Sequence, residues 1–225
     1  NGIAGDIGVI INVGLAGTSW SGGYHWKNEK VVETLRRWVR DGGGFIGIGE
    51  PTACNHQGHF FQLFDILGVD ADSGLSFFRK KPAVKTDKNH FIMRDQKEAV
   101  IFDNKKESVF AVNNGVAVLA QEKGNIYMSA NTFGAGRSVY MAGFGYKWEN
   151  IRLLLRALYW CAGKEKELFK WFSSNPYLEC AAYPGAGKYV VMNNSGKRQL
   201  AVIYGAGGKK RKVSLKPYES SWFKI

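Results

Sequence analysis

The stretch Asp6–Ala53, DIGVIINVGLAGTSWSGGYHWKNEKVVETLRRWVRDGGGFIGIGEPTA, decides how the chain is read. Gly8 to Val13 is a short Val- and Ile-rich run with no 3.6-residue period, the pattern of a parallel strand buried on both faces. From Asn28 to Arg40 the apolar residues Val31, Val32, Leu35, Trp38 and Val39 fall on one helical stripe with charges between them. Asn28 can cap the start of this helix, and Asp41-Gly42-Gly43-Gly44 ends it. Phe45 to Ile48 then forms a second strand that stops at Gly47-Ile48-Gly49-Glu50-Pro51. A strand, a long glycine-bearing loop, a helix and a strand ending in a sharp turn make the layout of an α/β ligand site, which opens at the carboxyl ends of the strands. The turn carries no Ser or Cys where a nucleophile would stand, so it is the scaffold of a catalytic elbow without the reactive atom.

Working outward, Phe60 to Leu67 reads as a short helix stopped by Gly68, and Val69 to Lys88 as an irregular surface excursion with a basic cluster at Arg79-Lys80-Lys81. Four β-like runs follow at Val109 to Val112, Val116 to Gln121, Ile126 to Ala130 and Ser138 to Gly143, with Gly124-Asn125 as a turn. Trp148 to Cys161 returns to helical spacing, with Ile151, Leu154, Leu155, Leu158 and Tyr159 read as its core stripe. Lys164 to Ser174 reads as a polar helical connector broken by Asn175-Pro176, which puts a boundary between residues 1–174 and 175–225. Beyond it, Leu178 to Ala182, Tyr189 to Asn193, Leu200 to Tyr204, Val213 to Leu215 and Ser221 to Phe223 alternate with turn residues at the spacing of a small antiparallel β-sandwich.

At 225 residues, with 45% apolar and 14% aromatic content, the chain can fill the core of a medium and a small domain. No run approaches the roughly 20 uncharged apolar residues that cross a bilayer, so no membrane segment is expected. The chain starts at Asn1 and enters a hydrophobic strand at once, which reads as an internal cut. Cys54, Cys161 and Cys180 are odd in number, far apart and in no metal-ligand spacing, the usage of reduced thiols in a cytoplasmic protein. The formal net charge of +12 raises a polyanionic partner as one reading. Yet Lys209-Lys210-Arg211-Lys212, placed in a hairpin-like turn, lacks interleaved aromatics on which bases stack, and a solvated face is the expectation rather than nucleic acid.

Four separated motifs occur in one order: Ile11-Asn12-Val13-Gly14, Gly17-Thr18-Ser19-Trp20-Ser21-Gly22-Gly23, Gly44-Phe45-Ile46-Gly47-Ile48-Gly49-Glu50-Pro51-Thr52-Ala53, and Gln57-Gly58-His59-Phe60-Phe61-Gln62-Leu63. On these residues, with Tyr189-Val190-Val191-Met192-Asn193-Asn194 and Ser221-Trp222-Phe223 near the end, the chain resembles the C-terminal part of the lacto-N-biose and galacto-N-biose phosphorylases. The resemblance implies an α/β fold, a class I glutamine-amidotransferase-like, mostly parallel sheet flanked by helices and lacking its first strand, followed by the small antiparallel β-sandwich. It also implies an N-terminal catalytic (β/α)8 barrel of the same protein, a homodimer, and reversible phosphorolysis of a β-galactoside with inversion to α-galactose 1-phosphate. Phosphate is itself the second substrate, so neither cofactor nor metal is expected. The acceptor, an N-acetylhexosamine or rhamnose, is chosen by barrel residues outside this chain. No residue here matches the barrel's motifs, so no catalytic residue is carried over and the chain alone is expected to be inactive.

The substrate-proximal candidates are Thr18, Trp20, Tyr24 and His25 in the loop, where an aromatic ring can stack on a sugar, and Glu50 and His59 beyond the turn. The competing reading is that the loop packs against the barrel and that Glu50 caps the following segment. His56 and His59 are three apart but have only Glu50 and Cys54 as nearby further ligands, and hydrogen-bonded loop histidines are expected rather than a metal. Two other classes stand as rivals, a stand-alone amidotransferase-like hydrolase and a basic nucleic-acid-binding module. The first needs a thiol where Gly49 stands, and Cys54 lies past the turn.

Overall fold

The computed structural model describes residues 2–74, 84–96, 100–145 and 147–225, and the basic cluster Arg79, Lys80 and Lys81 lies outside them. The chain divides into two compact units, Asn1–Gly163 and Lys164–Ile225. The connector read over residues 164–174 therefore belongs with the second unit, because its last residues enter that unit's sheet.

In the first unit the elements follow as β1 (Val9–Gly14), α1 (Glu29–Arg40), β2 (Gly44–Gly49), β3 (Ala53–His56), β4 (His59–Phe61), α2 (Phe64–Leu67), β5 (Val69–Ala71), β6 (Val109–Ala111), β7 (Ala117–Glu122), β8 (Asn125–Phe133), β9 (Gly136–Met141) and α3 (Trp148–Cys161). The main sheet has the order β1-β2-β9-β8-β7. It is parallel across β1, β2 and β9 and antiparallel across β9, β8 and β7, so the expectation of a mostly parallel sheet gives way to a mixed one. The cause is local: the turns Lys123-Gly124 and Gly134-Ala135 are too short for a crossover helix, so β7, β8 and β9 fold back as hairpins. β3 with β4 and β5 with β6 make two further small antiparallel pairs.

Successive residues of β2 and β9 point to opposite faces, and each face has its own core. Phe45 and Tyr140 pack with Val32 and Val39 of α1 and Ile66 and Leu67 of α2. Ile46, Val139 and Met141 pack with Leu153, Ala157 and Trp160 of α3. Two expectations change here. β1 is an edge strand among the described residues, and Ile11 and Val13 remain exposed instead of buried. The buried stripe of α3 is Leu153, Arg156, Ala157, Trp160 and Cys161, while Ile151 stands in solvent. The Leu-rich spacing hid this rotation because Arg156, an unpromising core residue, is buried by donating Nε to Asp95 at 2.6 Å and Nη1 to the Phe91 carbonyl at 3.2 Å.

The second unit contains β10 (Phe172–Ser173), β11 (Leu178–Tyr183), β12 (Lys188–Asn193), β13 (Gln199–Tyr204), β14 (Lys210–Leu215) and β15 (Ser220–Lys224). They form two three-stranded antiparallel sheets, β10-β13-β14 and β11-β12-β15. Leu178, Tyr189 and Val191 from one sheet meet Ala201, Ile203, Val213 and Leu215 from the other in a single core. Lys210, Arg211 and Lys212 open strand β14 rather than forming a turn, and all three are exposed.

Candidate functional site

The turn after β2 is built so that no side chain fits at its apex. Gly49 has φ of 81°, and a Cβ there would come within 2.8 Å of the Gly14 carbonyl oxygen at the end of the neighbouring strand. The next amide, Glu50 N, donates to that same carbonyl at 2.8 Å. Tyr140, reaching from β9, donates its hydroxyl to the Gly49 carbonyl at 3.3 Å. Burial holds that phenol well above its ordinary pKa, and the nearby charges of Glu50 and Glu107 push the same way, so it stays a donor. Thr52, buried with φ of 57°, fixes the far side of the turn: its amide donates to Asn12 Oδ1 at 2.8 Å, and its hydroxyl oxygen accepts from the Leu63 amide at 3.3 Å.

Glu50 is committed on both oxygens. Oε2 accepts the Ala16 amide at 2.8 Å, and Oε1 lies 2.8 Å from the Lys106 ammonium, which also sits 4.0 Å above the ring of Phe60. The carboxylate thus ties the β1–α1 loop to the turn and to the segment before β6. Within the loop, Ser21 is buried and its hydroxyl donates to the Leu15 carbonyl at 2.8 Å, while its own carbonyl accepts from Asn12 Nδ2 at 3.2 Å and from the Trp26 indole. The Thr18 hydroxyl is used in the same way, donating to Leu15 O at 2.7 Å. Trp20 and Tyr24 stand out from this frame at 79% and 78% exposure, and His25 is exposed beside them.

His59 lies at the other end of the loop, in a groove of about 200 Å³ that it lines with Trp26, Glu29, Glu33, Gln57 and Phe64. Its ring stacks on Phe64 at 3.6 Å, and its Nδ1 lies 2.8 Å from Asp70 Oδ2. The structure therefore joins Glu50 to the loop at Ala16 and places His59 in one groove with Trp26 of the loop, whereas Thr18 is taken up by the loop's own hydrogen bonds. Asp70, Lys106 and Tyr140 did not emerge from the sequence. Asp70 sits in the plain strand Val69-Asp70-Ala71, and Lys106 and Tyr140 meet the turn only through the sheet. Cys54 is half-buried on β3 beyond the turn, and among the described residues no three His, Cys, Asp or Glu side chains gather as metal ligands.

The profile of the lacto-N-biose phosphorylase central domain matches residues 1–166, and that of the C-terminal domain of the same proteins matches residues 171–223. A 1,3-beta-galactosyl-N-acetylhexosamine phosphorylase of Lachnoclostridium phytofermentans is 41% identical over 227 residues, covering 98% of this chain and 30% of that protein. The protein of the same name from Bifidobacterium longum is 34% identical over 256 residues, covering 99% of this chain and 34% of that protein. The chain thus spans about a third of the length of these curated relatives. Among solved structures, a cytoplasmic protein from Salmonella typhimurium shares the fold at a TM-score of 0.50 and 14% identity, over 68% of this chain and 71% of that one. No helix among the described residues is long and apolar enough to cross a membrane. With one profile covering the first unit and the other the second, the chain belongs to the lacto-N-biose phosphorylase family.

Proposed function

We propose that this chain is the non-catalytic C-terminal portion of an inverting β-galactoside phosphorylase. The reaction takes galactosyl-β-1,3-N-acetylhexosamine and phosphate to α-galactose 1-phosphate and the free N-acetylhexosamine. A phosphate oxygen attacks the anomeric carbon from the face opposite the breaking C–O bond, and a carboxylic acid protonates the leaving oxygen. In this reading the acid belongs to a (β/α)8 barrel elsewhere in the same protein, and the present chain supports that barrel and takes part in dimerisation. Its first unit is an amidotransferase-like fold whose elbow has lost its chemistry. Thr18, Trp20, Tyr24, His25, Glu50 and His59 then serve to order a site made mainly by the barrel.

The observation that carries the reading is Gly49: the elbow has no nucleophile, and its geometry has no room for one beside the Gly14 carbonyl. The names of the relatives and the share of their length that this chain spans support it further. The test is turnover. Supplied with lacto-N-biose and phosphate, the 225-residue chain is expected to release no galactose 1-phosphate, and the same chain joined to the barrel of a relative is expected to release it. Turnover by the chain alone overturns the proposal.

A further inference from the structure

We infer that the groove between α1 and the β3–β4 hairpin is a binding site for a single neutral pyranose ring, held through Nε2 of His59. The inference rests on the phosphorylase reading only for the choice of sugars to try. Its basis is the way His59 is fixed. Asp70 is buried, and its Oδ1 accepts three backbone amides, from Phe60 at 3.1 Å, Phe61 at 3.0 Å and Ala71 at 2.8 Å. Three backbone N–H groups converge on Oδ1, so the Asp70 carboxylate faces its surroundings as an acceptor. His59 Nδ1, 2.8 Å from Oδ2, is placed as the donor to that acceptor, which leaves Nε2 as the ring nitrogen not engaged by Asp70. Stacking on Phe64 at 3.6 Å fixes the plane of the ring, while the side chain keeps 40% of its surface open. The hairpin holds this arrangement in a strained backbone, with Asn55 and Gln57 both at positive φ. A fixed tautomer on a held ring is an arrangement for presenting one nitrogen to a partner, and a surface histidine needs none of it.

The rest of the lining selects the partner. Gln62 spends both Nε2 hydrogens on the His56 and His59 carbonyls at 3.2 and 3.0 Å, and Gln57 Nε2 donates to Glu29 Oε1 at 3.4 Å. The carboxylates of Glu29 and Glu33 are therefore the lining's acceptors for hydroxyl groups, and Trp26 and Phe64 supply apolar surface for a ring. An anion is disfavoured, because the guanidinium of Arg36 is committed to Glu33 at 2.8 Å, Asp65 at 2.9 Å and the Gln62 carbonyl at 3.0 Å. Lys27 lies 4.9 Å over the ring of Tyr24. A volume of about 200 Å³ is below the ~300–1,000 Å³ of sites for drug-sized ligands and suits one ring rather than an oligosaccharide. A hydroxyl can both donate and accept, so it pairs with Nε2 whether the imidazole is neutral or charged.

The experiment uses the 225-residue chain labelled with 15N and titrated separately with galactose, N-acetylglucosamine, N-acetylgalactosamine and inorganic phosphate. One of the pyranoses is expected to shift the Trp26 indole and His59 ring signals along a saturating curve, with a Kd on the order of 1 mM. His59→Phe keeps the ring on Phe64 and removes the nitrogen. It is expected to retain the fold in its amide spectrum, to melt a few degrees lower because Asp70 Oδ2 loses its partner, and to weaken binding at least tenfold. Asp70 is a positioning residue, and Asp70→Asn gives it a separate readout. The amide oxygen of the variant is held by the three backbone donors, so its NH2 faces Nδ1, and the neutral His59 ring is expected to switch to the Nε2–H tautomer in its 15N shifts. Absence of a saturable shift from every pyranose, undiminished binding by His59→Phe, or competition by phosphate would each overturn the site. Barrel-dependent turnover is read separately, so failure of this site leaves the proposed function standing, and the reverse.

Discussion

Gly49 and Glu50 show at the scale of single residues why a turn with the outline of a catalytic elbow carries no side-chain nucleophile at its apex. Any side chain at 49 must adopt φ of 81° and push its Cβ against a backbone oxygen that a neighbouring amide already uses. Strain of this kind costs about 1–3 kcal/mol, so Gly49→Ala is expected to lower the unfolding free energy by about that much in denaturant titration. Gly49→Cys is expected to be no more stable and to show no amidase activity. Glu50 acts as a strut. Its pair with Lys106 is partly buried, between the ~0–1 kcal/mol of a surface pair and the ~3–5 kcal/mol lost on breaking a buried one. Glu50→Gln is expected to lose an intermediate amount and to speed hydrogen exchange at the Ala16 amide, and unchanged exchange there would show that the loop is held by other means. The missing nucleophile was legible in the letters Gly49-Glu50-Pro51. The strut was not, because Ala16 and Lys106 reach Glu50 only across the folded sheet.

At the scale of elements, α1 begins where its sequence says it should. Asn28 has extended backbone, and its side chain accepts the Lys30 amide at 3.0 Å, satisfying one of the unpaired donors of the first turn. Asn28→Ala is expected to cost about 1 kcal/mol, read as a lower denaturation midpoint at unchanged slope. Because this helix end borders the His59 groove, the same substitution tests whether the groove depends on the cap. Strand positions in the second unit were legible for a similar reason: alternation and turn residues are local signals, and β11, β12 and β13 fall where the alternation puts them. β3, β4, β5 and β10, of two to four residues each, were missed, since a pattern of period two needs more length than that to declare itself. β4 was hidden because Phe60 to Leu67 read as one helix, whereas only Phe64–Leu67 is helical. The face of α3 was misread for a different reason, as its Leu-rich surface offers two stripes and only the buried pairing of Arg156 chooses between them.

For the molecule as a whole, the two units carry separate cores, and a thiol in each, Cys161 buried and Cys180 half-buried, gives a pH signature. Burial raises Cys180 from its ordinary 9.0 to about 11 in the second unit and raises Cys161 further in the first. A thiol with a raised folded-state pKa binds its proton more tightly in the native chain than in the unfolded one. Its contribution is therefore complete below about pH 9 and declines as pH rises toward 11. The denaturation midpoint of the second unit is expected to fall over that window, and Cys180→Ala to flatten the fall. The sequence by itself determined the order of strand, loop, helix and strand, the absence of an attacking atom at the turn, and the alternating strands of the second unit. All of these rest on neighbours along the chain, whose spacing is written in the letters. Only the tertiary structure decided that the sheet is mixed, that β1 lies at its edge, that Glu50 is a strut and that Asp70 fixes His59. Each of these depends on which distant backbone amide or charged group arrives to satisfy a buried polar atom, and that is settled by packing, which leaves no period in the sequence.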